Sequence, residues 1–252
     1  GKFGAAFVRG VQSMGVSACL KHFALNNQEN FRFVGNSVAD ERAMREIYLK
    51  PFETAVKEGK PGAVMSSYNR INGTFASENK WLLTDVLRTE WGFDGIVMSD
   101  WGGTHDRIAG NRAGEDLEMP GDTAVSLKKV YDALSDGSLS DDEANAYVTR
   151  ILAATERFAT ASKTESFDRD GHAELAAEVA ADSAVLMKND GTLPLDGTKP
   201  LCVIGELFEK MRYQGSGSSM ISPTKVVSHK DAFDVRGIKY GYARGYSAGV
   251  DP

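Results

Sequence analysis

The 252-residue sequence predicts an α/β protein whose first half is built from βα units around a parallel sheet. Short apolar, strand-like runs alternate with stretches of helical periodicity, the pattern of parallel strands joined by crossover helices. Three of the four runs proposed below end in polar or aromatic residues, as strand ends that feed a site do. A composition 42% hydrophobic and 25% charged is that of a globular chain able to bury a large core.

The chain opens Gly1-Lys2-Phe3-Gly4 within a helical pattern and without Met, so the native N-terminus is expected upstream. The first strand is expected over Val16 to Lys21. Met44, Ile47, Tyr48, Phe52 and Val56 then recur at helical spacing, with Pro51 set to kink or split the helix and Gly59 and Pro61 to stop it. A second strand is expected over Ala63 to Tyr68. A helix over Lys80 to Glu90 follows, capped by Ser77 or Asn79 and ended by Gly92. Ile96 to Asp100 and Asp116 to Met119 read as further strands. Beyond Met119-Pro120-Gly121 the pattern turns helical, over about Ala124 to Leu134 and Asp141 to Ala161, the latter opened by the capping box Ser140-Asp141-Asp142-Glu143. Residues 161–169 are polar and irregular. A helix from about His172 to Met187 and a strand at Leu201-Cys202-Val203-Ile204 then read as a new domain.

A formal charge of −6, with no Lys/Arg block interleaved with aromatics, argues against nucleic acid as a partner. No apolar stretch approaches the ~20 residues that span a bilayer, so no membrane partner is expected. No signal peptide is visible, and with the start open no localisation is assigned. Cys19 and Cys202 lie far apart in apolar runs and are expected as buried free thiols.

The chemistry concentrates at strand ends. Gly95-Ile96-Val97-Met98-Ser99-Asp100-Trp101 delivers a carboxylate and then an indole to a C-terminal strand end, and Lys21-His22 closes a similar run. A cation, an imidazole and a carboxylate converging on one mouth suit a polyhydroxylated substrate. Other readings stand beside this one. Asp100 would also serve as a Mg²⁺ or structural ligand, Lys21 as a Schiff-base lysine, His22 as a hydrogen-bonded core histidine, and Tyr68 and Trp101 as packing. Gly215-Ser216-Gly217-Ser218-Ser219 is a small-residue loop that lacks the frame of a phosphate-binding loop.

Lys21-His22-Phe23-Ala24-Leu25-Asn26-Asn27-Gln28-Glu29, Asp40-Glu41-Arg42, Met65-Ser66-Ser67-Tyr68-Asn69 and Ser99-Asp100-Trp101 resemble, in order and spacing, consecutive signatures of glycoside hydrolase family 3. Asp116-Leu117-Glu118-Met119-Pro120 and Leu186-Met187-Lys188-Asn189-Asp190-Gly191-Thr192-Leu193-Pro194-Leu195 resemble later family segments. The resemblance implies a partial (β/α)8-like barrel over residues 1–160, a linker over 161–172 and the beginning of an α/β sandwich domain over 173–252. It also implies that earlier barrel strands and the rest of the sandwich are missing segments of the same protein, needed to complete the site. Without them the barrel edges would be unpaired.

The resemblance further implies a retaining, exo-acting β-glucosidase with Asp100 as nucleophile. Lys21, His22 and Arg32 would be sugar-binding donors, with Tyr68 beside the nucleophile, Trp101 as an aromatic wall and Ser216 and Ser218 on a loop reaching the sugar. Lys21, His22 and Arg32 would also favour the ionised form of Asp100. The acid/base carboxylate that retaining hydrolysis needs, roughly 5 Å from the nucleophile, is expected beyond Pro252. The substrate expected is a β-linked oligosaccharide or an aryl or alkyl glucoside. No cofactor or metal is expected, since the chemistry runs on carboxylates and water. A non-catalytic carbohydrate-binding relic, and β-xylosidase or N-acetylglucosaminidase specificity, are the alternatives. The segment after Phe23 lacks the His-containing loop of the N-acetylglucosaminidase branch.

Overall fold

The computed structural model describes residues 1–121, 124–159, 166–215, 217 and 220–249. The chain divides into two compact units, Gly1–Phe167 and Asp168–Pro252.

In the first unit, helix α1 (Lys2–Ser13) packs on α3 (Lys50–Gly59) through Ala5 and Val8. Strand β1 (Cys19–Phe23) pairs in parallel with β3 (Ala63–Ser66), which pairs in parallel with β6 (Ile96–Ser99). The resulting order β1-β3-β6, with helices in the crossovers, is the α/β arrangement the sequence predicts. Pro51 splits its helix as expected. The short α2 (Glu41–Ala43) runs into a π-type turn, Met44–Tyr48, and α3 restarts with the proline in its first turn, where a missing amide costs no hydrogen bond. Lys60, rather than Gly59, takes the left-handed position that ends α3.

The helix Trp81–Glu90 winds with π spacing and is capped by Asn79, whose Oδ1 accepts from Leu82 N at 3.0 Å. It seats Leu82, Leu83, Val86 and Leu87 against Phe23, Val64 and Val97. These side chains are fully excluded from solvent, each contributing roughly 1.5–3 kcal/mol. Phe23 is wedged between Phe52 and Trp91, at centroid distances of 5.1 and 5.8 Å. At the start of β6, a Cβ on Gly95 would clash with the carbonyl oxygen of Gly62, so the strands approach more closely there than alanine permits.

The strand expected over Asp116 to Met119 is instead one parallel bridge, Met98 to Leu117. The cause is Asp116, whose carboxylate is drawn inward. Oδ2 accepts from Val97 N at 2.7 Å and Arg88 Nη2 at 2.6 Å, and Oδ1 from Arg150 Nε at 2.6 Å. This buried cluster ties β6 to helix Trp81–Glu90 and to α6 (Asp141–Ala159). Helices α4 (Arg107–Ala113) and α5 (Val125–Ser135) complete the unit, and the Ser140/Glu143 box caps α6.

A small sheet was not foreseen. Strand β2 (Asn36–Ser37) runs parallel to β4 (Arg70–Ile71), which turns back through Asn72-Gly73 into β5 (Thr74–Phe75). Both turn residues have positive φ, 50° and 95°, as a tight hairpin of this hand requires.

In the second unit, α7 (Arg169–Asp182) begins three residues before the expected His172, because Asp168 caps it by accepting from Gly171 N at 3.0 Å, and ends well short of Met187. Strands β7 (Leu201–Ile204) and β8 (Tyr240–Ala243) pair in parallel, with α8 (His229–Val235) between them in sequence. Phe208 meets Phe233, Tyr240 and Tyr242 at centroid distances of 5.0–5.7 Å.

The expectation of buried thiols is corrected. Cys19 and Cys202 are free but exposed, since β1 is an edge of its sheet and β7 belongs to a two-stranded one. Among the described residues no helix is long and apolar enough to cross a membrane.

Candidate active site

The parallel register fixes where the chemistry lies. Because Ser66 pairs with Ser99, the residues after β3 and β6 emerge side by side, and Asp100 N donates to Ser66 O at 3.2 Å. Asp100, 7% exposed, sits at this C-terminal end.

Two other sequence candidates meet its carboxylate. His22, from the end of β1, brings Nε2 to 3.2 Å from Asp100 Oδ2. Burial holds the His22 imidazole below its ordinary value, against the opposing pull of Asp100, with the charges of Lys21 and Arg32 adding to the depression. The ring is therefore neutral at neutral pH, and its contact with Asp100 is a close polar approach rather than an ion pair. Tyr68 follows β3. Burial first, then the hydrogen bond to Asp100 and the charge of its carboxylate, push the Tyr68 phenol up to about 12, so it remains a donor. On the other oxygen, Oδ1 accepts from the backbone N–H of Trp101 at 2.8 Å.

Arg32 joins them from a loop. Its guanidinium lies 4.7 Å from the centroid of the Tyr68 ring and 5.5 Å from that of Phe33, and the Phe33 and Tyr68 rings are 4.2 Å apart. The small sheet positions this loop. Arg70 N donates to Gly35 O at 2.8 Å, Asn72 N to Ser37 O at 3.1 Å, and Ser37 Oγ to Leu25 O at 2.8 Å. Buried Asn69 donates to Ala24 O at 3.3 Å and Ser67 Oγ to the same oxygen at 2.9 Å, holding the chain just after His22.

Lys21 is exposed beside His22. The Trp101 side chain is 56% exposed, which removes the reading of it as core. Ser216 and Ser218 lie outside the described residues. Sequence reasoning missed Phe33, although Phe31-Arg32-Phe33 places two aromatics around a candidate donor. Among the described residues no group of three His, Cys, Asp or Glu side chains is arranged to hold a metal ion.

A cavity of about 1050 Å³ lies within the second unit, lined in part by Asp190, Thr192, Asp196 and Thr198. Each of these Asp side chains is engaged by its own Thr, with Oδ1 accepting from the hydroxyl at 2.6 and 2.7 Å. They shape turns and bring no convergent donors comparable to those around Asp100.

The arrangement gathers His22, Tyr68 and the Trp101 amide around one carboxylate at a strand end, suited to a neutral, hydroxyl-rich ligand. Thermostable beta-glucosidase B of Acetivibrio thermocellus is 48% identical over 225 residues, covering 88% of this chain and 30% of the relative. An exo-α-(1→6)-L-arabinopyranosidase of Bifidobacterium longum is 43% identical over 97% of this chain and 34% of its own length. The chain thus spans about a third of these relatives. The crystal structure of the Bifidobacterium adolescentis GH3 beta-glucosidase superposes with a TM-score of 0.88 at 43% identity, over 98% of this chain and 37% of that one. Beta-glucosidase 3B of Thermotoga neapolitana in complex with alpha-D-glucose gives 0.87 at 38% identity, over 95% of this chain and 34% of its own. The sequence model of the Glycosyl hydrolase family 3 N terminal domain matches residues 1–154, well over half of the sequence, and the chain belongs to that family.

Proposed function

We propose that the protein is a retaining, exo-acting β-glycosidase, of β-glucosidase type, with Asp100 as nucleophile. The observation that carries the proposal is the convergence of His22, Tyr68 and the Trp101 amide on one nearly buried carboxylate at a parallel strand end. Asp100 attacks the anomeric carbon and the bond to the aglycone oxygen breaks, that oxygen taking a proton from the acid/base group. Water, giving its proton back to that group, then releases the sugar from the aspartyl ester. No acid/base residue is assigned within residues 1–252.

Lys21, His22 and Arg32 supply donors to vicinal hydroxyls of the terminal ring. Tyr68 faces the side where charge develops in the transition state, and exposed Trp101 offers an indole face to the leaving group. A second specificity is favoured by one observation, the 43% identity to the Bifidobacterium longum α-L-arabinopyranosidase.

The test is turnover of aryl β-D-glucoside and aryl α-L-arabinopyranoside, with the first-formed anomer read by NMR. The proposal expects β-glucose as the first product from the glucoside and a loss of about 10⁴-fold or more in Asp100→Asn. First-formed α-glucose, or an Asp100→Asn variant as active as the parent, contradicts it. A rate on the arabinopyranoside that exceeds the glucoside rate moves the specificity to the second reading.

A further inference from the structure

The loop that follows Asp100 is anchored from behind by groups that take no part in the site described above. Gly103 N donates to Asp100 O at 2.9 Å, and Ser77 Oγ, itself buried, donates to Gly103 O at 2.8 Å. Glu78 Oε1 accepts from His105 N at 3.1 Å and from Asp106 N at 2.8 Å. The innermost anchor is Glu115. Its side chain is wholly excluded from solvent, its Oε1 accepts from Thr104 Oγ1 at 2.8 Å, and its Oε2 lies 3.5 Å from Arg107 Nη1.

A carboxyl sealed from water with a single short hydrogen bond is unfavourable relative to an apolar side chain of the same volume. Its contribution therefore lies in where it holds Thr104 rather than in the stability of the fold. Burial drives the Glu115 carboxyl up to about 8, against the lowering effects of Thr104 and Arg107, while Glu118 and Glu78 push it further up. At neutral pH the group is thus mainly neutral, and it acts as a hydrogen-bonding strut rather than a charge.

The strut has a short route to the nucleophile. Thr104 is three residues from Trp101, whose amide donates to Asp100 Oδ1. Gly103 between them is packed so closely that a Cβ there would lie 3.1 Å from Asp100 O and 3.6 Å from the Tyr68 ring. The loop thus runs directly against the Asp100 backbone and the Tyr68 ring.

We infer that Glu115, acting through the Thr104 hydroxyl, is a positioning residue that fixes the Trp101–Asp106 loop and so the orientation of the Asp100 carboxylate. The inference rests on Asp100 being the nucleophile. It is tested by kcat and KM on an aryl β-glucoside, and by the rate at which 2-deoxy-2-fluoro-β-glucosyl fluoride labels Asp100, in the parent protein and in Glu115→Gln, Glu115→Leu and Thr104→Val, with urea midpoints measured alongside.

Thr104→Val removes only the hydroxyl, so it remains informative if Glu115→Leu fails to fold. Loss of orientation should lower kcat and the labelling rate about tenfold or more in Thr104→Val and Glu115→Leu while KM stays within about threefold. Glu115→Gln, which keeps the acceptor and mimics the neutral acid, should stay within about twofold of the parent. Variants whose midpoints fall while kcat and labelling are retained make Glu115 a plain brace and overturn the inference. A Gln variant as impaired as the Leu variant overturns it too. If the parent protein takes no label at Asp100, the nucleophile assignment itself fails and the inference falls with it, an outcome distinct from any difference among variants.

Discussion

Asp116→Ala should be among the most damaging single changes in the first unit. Its carboxylate is wholly buried and accepts three hydrogen bonds, from Val97 N, Arg88 Nη2 and Arg150 Nε, all within 2.7 Å. Arg88 is only 13% exposed, and burial already holds its guanidinium below the ordinary arginine value against the attraction of Asp116. Removing the carboxylate leaves that cation without its hydrogen-bonded counter-charge and strands the Val97 amide. Breaking a buried pair in this way costs about 3–5 kcal/mol, and the stranded amide about 1–3 kcal/mol, the two overlapping rather than adding. A net loss of ~4 kcal/mol with a slope of ~2 kcal/mol per M urea lowers the midpoint by ~2 M.

Tryptophan fluorescence reports this transition cleanly, because all three tryptophans, Trp81, Trp91 and Trp101, lie in the first unit. The physical content is in the comparison with Asp116→Leu combined with Arg88→Met. That pair leaves no uncompensated buried charge apart from the more exposed Arg150, 26% accessible, and should recover most of the lost midpoint. A shift below ~0.5 M for Asp116→Ala, or a double variant no better than the single one, would refute the reasoning.

Further outcomes follow from packing and titration. Leu87→Ala empties a site with no solvent access and should cost about 2–5 kcal/mol in the same urea titration. Gly95→Ala, whose added methyl meets the Gly62 carbonyl at the start of β6, should destabilise by ~1–3 kcal/mol, seen as a lower midpoint. Glu115 binds its proton more tightly folded, to about 8, than at its ordinary 4.5, so burial penalises the fold least below pH 4.5, where the carboxyl is neutral folded and unfolded, and stability is lost as pH rises toward 8. Between pH 5 and 8 the parent should therefore lose up to ~4 kcal/mol relative to Glu115→Gln, at ~1.4 kcal/mol per pH unit. Midpoints of the two proteins that stay parallel across that range would remove this titration.

Much of the site was legible because parallel strands covered on both faces read as unbroken apolar runs. Val97 and Met98 announce β6, and a carboxylate directly after such a run has few places to be except a strand end. The Pro51 break was legible for an equally local reason, the missing amide. The hairpin at Asn72-Gly73, which pins the Arg32 loop, carries a strong local signal in that dipeptide. A local signal also marks the Ser228/Asp231 box that opens α8, with Asp231 N donating to Ser228 Oγ at 3.0 Å.

Other features have no periodic signature. The Asp116 segment reads as a strand but forms a single bridge, since the Asp116 carboxylate, paired with Arg88 and Arg150 far away in sequence, takes the Val97 amide itself. The pairing of Thr104 with Glu115 spans a loop and a short helix. The exposure of Cys19 depends on its strand lying at a sheet edge, which composition cannot reveal.

The measurement that tests the account most directly is peptide mapping by mass spectrometry after incubation with 2-deoxy-2-fluoro-β-glucosyl fluoride, which slows hydrolysis of a covalent glycosyl-enzyme. The account predicts a fluoroglucosyl ester on Asp100, in the peptide carrying Met98-Ser99-Asp100-Trp101, and its absence from Asp100→Asn. A label on any other residue, or native protein that takes none, would contradict the assignment of Asp100 as nucleophile.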